Sequence, residues 1–213
     1  MLWIWIQALV VNGVLISFAQ RTPLLTTRGW IHAAALGTML WGSLGWRGWL
    51  AVAVYLVLGS LVTRIGFANK QRRGIAEARD GRRGPENVWG SAAVGAGLAL
   101  ILAASPQEAI LWRQILLIGF SASFAAKLAD TFGSEIGKRW GRTTVLITTL
   151  RPVAPGTDGA ISLEGTMASA VGSVLMTLAL WGLSSTQLPL IPNAMAAGVV
   201  MVVGLLATLA ESV

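Results

Sequence analysis

Residues 165–210 run for 46 positions without a charged side chain. A helix needs only about 20 apolar residues to cross a hydrocarbon core, so this stretch has to hold two helices and a turn. Residues 183–192 (LSSTQLPLIP) supply the turn, because serines and two prolines interrupt a helix. A chain built on such segments belongs in a membrane. Composition agrees. Of 213 residues, 54% are hydrophobic before the 25 glycines are counted, and 12% are charged. Soluble domains are roughly 45–50% apolar with glycine included and about 25% charged, and a body this small would leave much of that apolar surface wet. A soluble globular enzyme, a disordered chain and a disulfide scaffold are all excluded. With no cysteine there is no disulfide, thiolate metal site or cysteine nucleophile.

The other charge-free runs predict a polytopic, all-α integral membrane protein of about seven transmembrane helices. Residues 2–19 carry no charge, no basic leader segment and no clear cleavage site, so they read as a retained span. Further spans are expected at about 30–46, 49–63, 88–104, 109–126, 165–183 and 193–210. Several tryptophans fall near span ends, the place of interfacial belts. The whole of residues 1–213 then forms a single transmembrane domain.

The net charge of +7 becomes informative once it is located. Fourteen of the 16 basic residues lie in the first, third and fifth loops, which alternation puts on one side. Only Arg47 and Arg113 lie on the other. The positive-inside rule places the N-terminus outside and the C-terminus in the cytoplasm. One-sided basic charge on a membrane protein points to topology or anionic ligands, so nucleic acid is not an expected partner. The outward loops after the fourth and sixth spans are short, whereas the cytoplasmic ones at about 64–87 and 127–164 are long. Long loops usually carry function.

The third loop contains Asp80-Gly81-Arg82-Arg83-Gly84-Pro85, paired arginines in a backbone-fixing turn. Arginine forks match phosphate oxygens bidentately; the alternative is a set of charges that only orient the chain. Lys70 and Asn87 flank this segment. The fifth loop opens on KLADTFGSEIGK, residues 127–138. Asp130 and Glu135 there stand close to hydrocarbon, where unpaired carboxylates are costly and mark function by default. On a straight helix Asp130 shares a face with Ser134, and Thr131 with Glu135; a break at Gly133 would bring all four together. Hard oxygen ligands of this kind suit Mg²⁺, which uses one or two carboxylates plus substrate phosphates. The alternative is a pair of structural salt bridges to Lys127 and Lys138. Further on, RPVAPGTDGAISLEGT (residues 151–166) holds a glycine turn leading into a helix, an arrangement that presents N–H groups to anions. It is not a P-loop. Its alternative reading is an ordinary turn, with Ser162 or Thr166 capping the sixth span. His32, the one histidine, lies within a span and is expected to be packed there. Gly95 and Gly97, and the set Gly165, Ser169 and Gly172, are expected to let helices pack closely.

The strings KLADTFGSEIGK and RPVAPGTDGAISLEGT resemble the signature motifs of the integral membrane family catalogued as domain of unknown function ninety-two. NKQRRGIAEARDGRRGPENVWG, residues 69–90, resembles the version in its cyanobacterial and plastid members, which include the phytyl-phosphate kinase of tocopherol synthesis. The resemblance covers the chain from Arg21 onward. It implies transfer of a terminal phosphate from a nucleoside triphosphate, CTP among them, to phytyl or another prenyl monophosphate. The product would be the diphosphate used in tocopherol and prenylquinone synthesis. A CTP-dependent lipid cytidylyltransferase and a transporter or flippase of anionic lipids are the rival readings. The implied partners are the prenyl monophosphate, the nucleotide and membrane lipids, with an oligomer allowed. The implied setting is a plasma or thylakoid-type membrane of a cyanobacterium-like organism. The family continues with an acidic, serine-containing motif and a further hydrophobic stretch. Ala210-Glu211-Ser212-Val213 resembles its start, so the chain is expected to be a truncated or a naturally short member.

On this reading Asp130, Glu135 and Asp158 are the catalytic and Mg²⁺-ligating residues. Gly156, Thr157 and Gly159 cradle phosphate. Lys70, Arg82, Arg83, Lys127 and Lys138 neutralise nucleotide and acceptor, and Asn87, Thr131, Ser134 and Glu164 complete the nucleotide and phosphate site.

Overall fold

The structure, a computed structural model, describes residues 2–213. The chain is overwhelmingly helical: α1 (Leu2–Ala19), α2 (Thr27–Arg64), α3 (Phe67–Arg72), α4 (Pro85–Ala104), α5 (Ile110–Trp140), α6 (Leu163–Leu183) and α7 (Ala194–Glu211). Two three-residue strands, β1 (Thr144–Leu146) and β2 (Ala160–Ser162), form an antiparallel ribbon before α6. By length and composition α2, α4, α5, α6 and α7 each suffice to cross a membrane, and most of α1 is a shorter apolar helix.

Helix α2 holds two of the expected spans. It turns at Gly45, whose φ of 68° and ψ of −168° suit a residue without Cβ. The two arms then run back alongside each other. Gly29 on the first arm and Gly59 on the second both lie against Arg83, while Gly37 and Trp49 both lie against Asn12. Counting those arms separately, seven apolar helical rods among the described residues follow the charge-free segments of the sequence.

Helix α5 is the central post, packed against α2, α4, α6 and α7. Its side chains Leu116, Phe120, Phe124 and Leu128 are buried in the core. The seam between α5 and α6 is lined by small residues. A Cβ on Gly165 would stand 2.9 Å from the Gly133 carbonyl oxygen, and one on Gly172 would stand 2.8 Å from that of Leu128. Such seams let helix backbones approach closely where lipid supplies no hydrophobic drive. Gly133 therefore serves packing. Of the two geometries open at Gly133 the straight helix is the one present, and α5 continues unbroken to Trp140. Gly95 likewise sits tight against the Phe124 ring, whereas Gly97 faces open space. His32 is packed as expected, accepting a 2.9 Å hydrogen bond from the Trp89 indole.

The two ends of the bundle differ. At the end where α6 stops, Leu190 and Ile191 of the loop before α7 are buried. That loop is pinned by the Ser121 hydroxyl donating to the Leu190 carbonyl and by the Ile191 amide donating to Ser184. The other end carries α3, the ribbon and the long loops, and it is open.

Candidate functional site

At 1.5 Å per residue, the 31 residues of α5 extend about 46 Å, well beyond a hydrocarbon core of about 30 Å. Much of what the sequence presented as a loop is the far end of this helix. Because the helix is continuous, Lys127, Asp130, Thr131, Ser134 and Lys138 fall at three- and four-residue steps along one side. They line a cavity of about 300 Å³ together with Tyr55, Glu77, Arg83 and Asn87. Asp130, Ser134 and Lys138 also line a second cavity of about 270 Å³, completed by the glycine turn, Thr166 and Glu211. These three side chains are thus a wall common to two cavities.

The second cavity is shaped by the turn. Gly156 and Gly159 take φ values of 92° and 74°, a region that side chains with a Cβ rarely enter. Hydrogen bonds from the Thr157 amide to Ala154 and from the Ala160 amide to Thr157 close two successive turns. Among the described residues, the Gly156, Asp158 and Gly159 amides donate to no protein group, so the turn keeps donors for an anion. The ribbon carries the turn, whose Gly156 lies against Ile75 and Gly159 against the Ser212 carbonyl. Three-residue strands are too short to show alternation, which is why the sequence did not reveal them. Ser162 caps α6 by accepting from the Gly165 amide at 3.1 Å, so of Ser162 and Thr166, the two caps named in the alternative reading of this turn, it is Ser162 that caps. Glu164 sits in that first helical turn, reaches the Arg142 amide at 3.4 Å, and lines neither cavity.

In the third loop the two arginines part. Arg82 is exposed, and Arg83 turns inward to 8% exposure. Three consecutive positive φ values, at Arg79, Asp80 and Gly81, bend the chain just before them. Arg83 is then seated by backbone hydrogen bonds, its amide donating to Leu24 and its carbonyl accepting from Thr26. Its guanidinium donates to the Tyr55 hydroxyl at 2.7 Å, and that hydroxyl donates to Ser91 at 2.6 Å. Among the described residues no carboxylate pairs with Arg83. A buried cation without a counter-charge is costly, so the site suits an anion. Asn87 caps α4 by accepting from the Gly84 amide, and its amide group is 3.5 Å from Glu77.

Glu135 and Lys70 stand apart from this pattern. Lys70 is fully buried, donating to the Thr63 carbonyl at 2.8 Å and to the Glu135 carboxylate. Glu135 is 4% exposed and also lies 3.8 Å from Lys138. Of the expected structural pairs, Lys138 with Glu135 is present, while Lys127 pairs with Glu211 on α7 at 2.6 Å. Lys70 lines neither cavity, and Glu135 borders only the first. Tyr55 is a site residue that sequence reasoning missed. Its signal was available, since the chain's one tyrosine lies in an apolar arm where a buried phenol needs a polar partner.

Among the described residues no three acidic or histidine side chains come together as a ready-made metal cage. Asp130 and Asp158 line one cavity beside the glycine turn. That donor set fits a Mg²⁺ ion completed by phosphate oxygens. Glu135 already has its cation.

A profile described as "Integral membrane protein DUF92" matches residues 10–213. The chain is 50% identical over 177 residues to "Uncharacterized membrane protein sll0875" of Synechocystis sp., covering 82% of this chain and 67% of that one. It is 41% identical over 174 residues to "Protein VTE6, chloroplastic" of Arabidopsis thaliana, covering 80% and 52%. A third relative, "Uncharacterized membrane protein MJ0933" of Methanocaldococcus jannaschii, is 30% identical over 171 residues, covering 80% and 68%. The matched region is about half the length of the plant relative. No solved structure matches. A plasma or thylakoid-type membrane is the setting that the cyanobacterial and chloroplast relatives fit. With nearly its whole length matched, this chain belongs to the integral membrane protein DUF92 family.

Proposed function

We propose that the protein is a membrane phosphotransferase that moves the terminal phosphate of a nucleoside triphosphate onto phytyl or another prenyl monophosphate, yielding the diphosphate for tocopherol and prenylquinone synthesis. Its 41% identity to the chloroplast protein and the resemblance of its motifs to prenyl-phosphate kinases support the reading. The observation that carries it is the shared wall. Asp130, Ser134 and Lys138 separate a cavity roofed by unpaired turn amides from one holding a buried, unpaired Arg83. Two anion sites meeting at one wall are what transfer between two phosphates requires, and the wall's carboxylate can hold the cation that offsets their repulsion.

In this reading the nucleotide lies in the cavity of the glycine turn, with CTP among the donors to be compared. An oxygen of the acceptor monophosphate attacks the terminal phosphorus. The bond from that phosphorus to its bridging oxygen breaks, and a nucleoside diphosphate leaves with the electron pair. A phosphate monoester is already anionic near neutral pH and needs no strong base, so repulsion between anions is the main obstacle. Arg83, Lys127 and Lys138 offset that repulsion, and the Gly156, Asp158 and Gly159 amides hold the donor phosphates. Mg²⁺, held by Asp130 and Asp158, would neutralise the triphosphate. The loops of the open end face the cytoplasm in this assignment, which follows the basic-residue bias.

The test supplies purified protein with Mg²⁺, terminally labelled nucleotides and phytyl monophosphate. Label is expected in a lipid diphosphate, and Asp130→Asn is expected to remove it. Label that stays in nucleotide or free phosphate for every donor overturns the assignment. Release of pyrophosphate with a CMP-lipid product would replace it with cytidylyl transfer. The sealed far end, with Leu190 and Ile191 buried, speaks against a transport path.

A further inference from the structure

A third hollow lies inside the helical body. It is walled almost wholly by apolar side chains, among them Ile16 of α1, Ala33 and Leu36 of the first α2 arm, Val52 and Ala53 of the second, and Ala92 of α4. At one end it meets Arg83, Tyr55 and Asn87, the same residues that line the larger polar cavity. At the other end it is closed by a 2.8 Å hydrogen bond from the Trp49 indole to Asn12 across Gly37. Gly29 and Gly59 mark the Arg83 level, and Gly37 and Trp49 the floor. Eight to ten helical residues separate the two levels, a depth of ~12–15 Å.

Two observations bear on what it can hold. The buried guanidinium at its mouth has no carboxylate partner, so the occupant has an anionic head. Trp30 lines the hollow at 6% exposure, and its indole N–H has no hydrogen-bond partner among the described residues. Buried indole donors normally find an acceptor, so this one is free to donate to a ligand oxygen. An anionic head, an acceptor oxygen near it and an apolar body describe a prenyl monophosphate.

We infer that this hollow is the tail site of the lipid substrate, with Arg83 and Trp30 holding the phosphate end and Ala33 and Ala53 leaving room for the chain. This rests on the phosphotransferase reading and adds to it where the lipid sits and which residues set tail preference. The Asn12–Trp49 floor limits how much tail runs inward, and the remainder passes into the bilayer.

The experiment compares geranylgeranyl monophosphate with dimethylallyl monophosphate, measuring both equilibrium binding by calorimetry and labelled transfer. Ala33→Phe and Ala53→Phe fill the hollow from opposite walls. Each is expected to weaken geranylgeranyl monophosphate binding and raise its KM by more than about tenfold, because several methylenes lose burial. KM for the short substrate should stay within about twofold, which also reports that the variants are folded. Trp30→Phe keeps an aromatic side chain and removes the indole N–H together with part of the ring system. It should weaken both substrates alike, by about three- to tenfold. Unchanged long-chain binding in both phenylalanine variants, with transfer intact in the parent, overturns the tail site and leaves the kinase reading standing. Hollow-dependent binding without transfer from any nucleotide keeps the tail site and sinks the kinase reading.

Discussion

Two carboxylates five residues apart on α5 illustrate how one helix divides its work. Asp130 belongs to the open side, facing two cavities and next to turn amides. Glu135 belongs to the locked side, almost wholly buried and held by Lys70, with only an edge on the first cavity. Both are acids near the end of an apolar helix, and their surroundings send them to opposite tasks. A carboxylate already balanced by a buried ammonium has little left to offer a metal ion, and what it holds is the third loop against α5. A carboxylate without a close basic partner is available to the ligand.

The comparison breaks most readily at Asp130. Asp130→Asn should reduce labelled transfer by about a thousandfold, the scale of losing a principal transition-state electrostatic contribution, here the cation that Asp130 would hold, while the thermal midpoint in detergent changes little. Glu135→Gln should do the reverse. Leaving Lys70 charged and unpaired in a buried site costs about 3–5 kcal/mol, read as a large drop in thermal midpoint. A Lys70→Met, Glu135→Leu double variant should recover most of that stability. If Glu135→Gln instead kills transfer with stability intact, the two carboxylates belong to one site. Gly133→Ala comes next. Its methyl would run into the Ser169 side chain, and overpacking of this sort costs about 1–3 kcal/mol. Ser169→Gly in the same chain should relieve it. The smallest effect is expected for Arg82→Gln, since that side chain is exposed and outside both cavities. Transfer should stay within about twofold, as for most exposed charges, against a severe loss for Arg83→Gln.

Much of the architecture is legible in the chain itself. The apolar rods, the tight turn before Arg83, the cap at Ser162, the packing of His32 and the close helix contacts at Gly165 and Gly172 all follow local patterns. Other features do not show in this way. Nothing near Gly133 tells whether a glycine bends its helix or seats it against another, because the deciding atoms belong to Ser169 and Gly165 on α6. Nothing in Arg82-Arg83 tells which arginine turns in, since that depends on the backbone register of Arg83 with Leu24 and Thr26. The ribbon carrying the glycine turn was too short to leave a pattern. Tyr55 mattered only because Arg83 and Ser91 reached it from elsewhere.

By itself the sequence determined that this is a membrane-embedded helical body with its ionic chemistry gathered at one end. Transfer from water to lipid is nearly a sum over residues, so runs of apolar side chains settle it without reference to partners. The tertiary structure decided what each charge does. A charge's energy depends on what lies within a few ångströms of it. For Lys70 and Glu135, 65 residues apart, that neighbourhood exists only once the helices are packed.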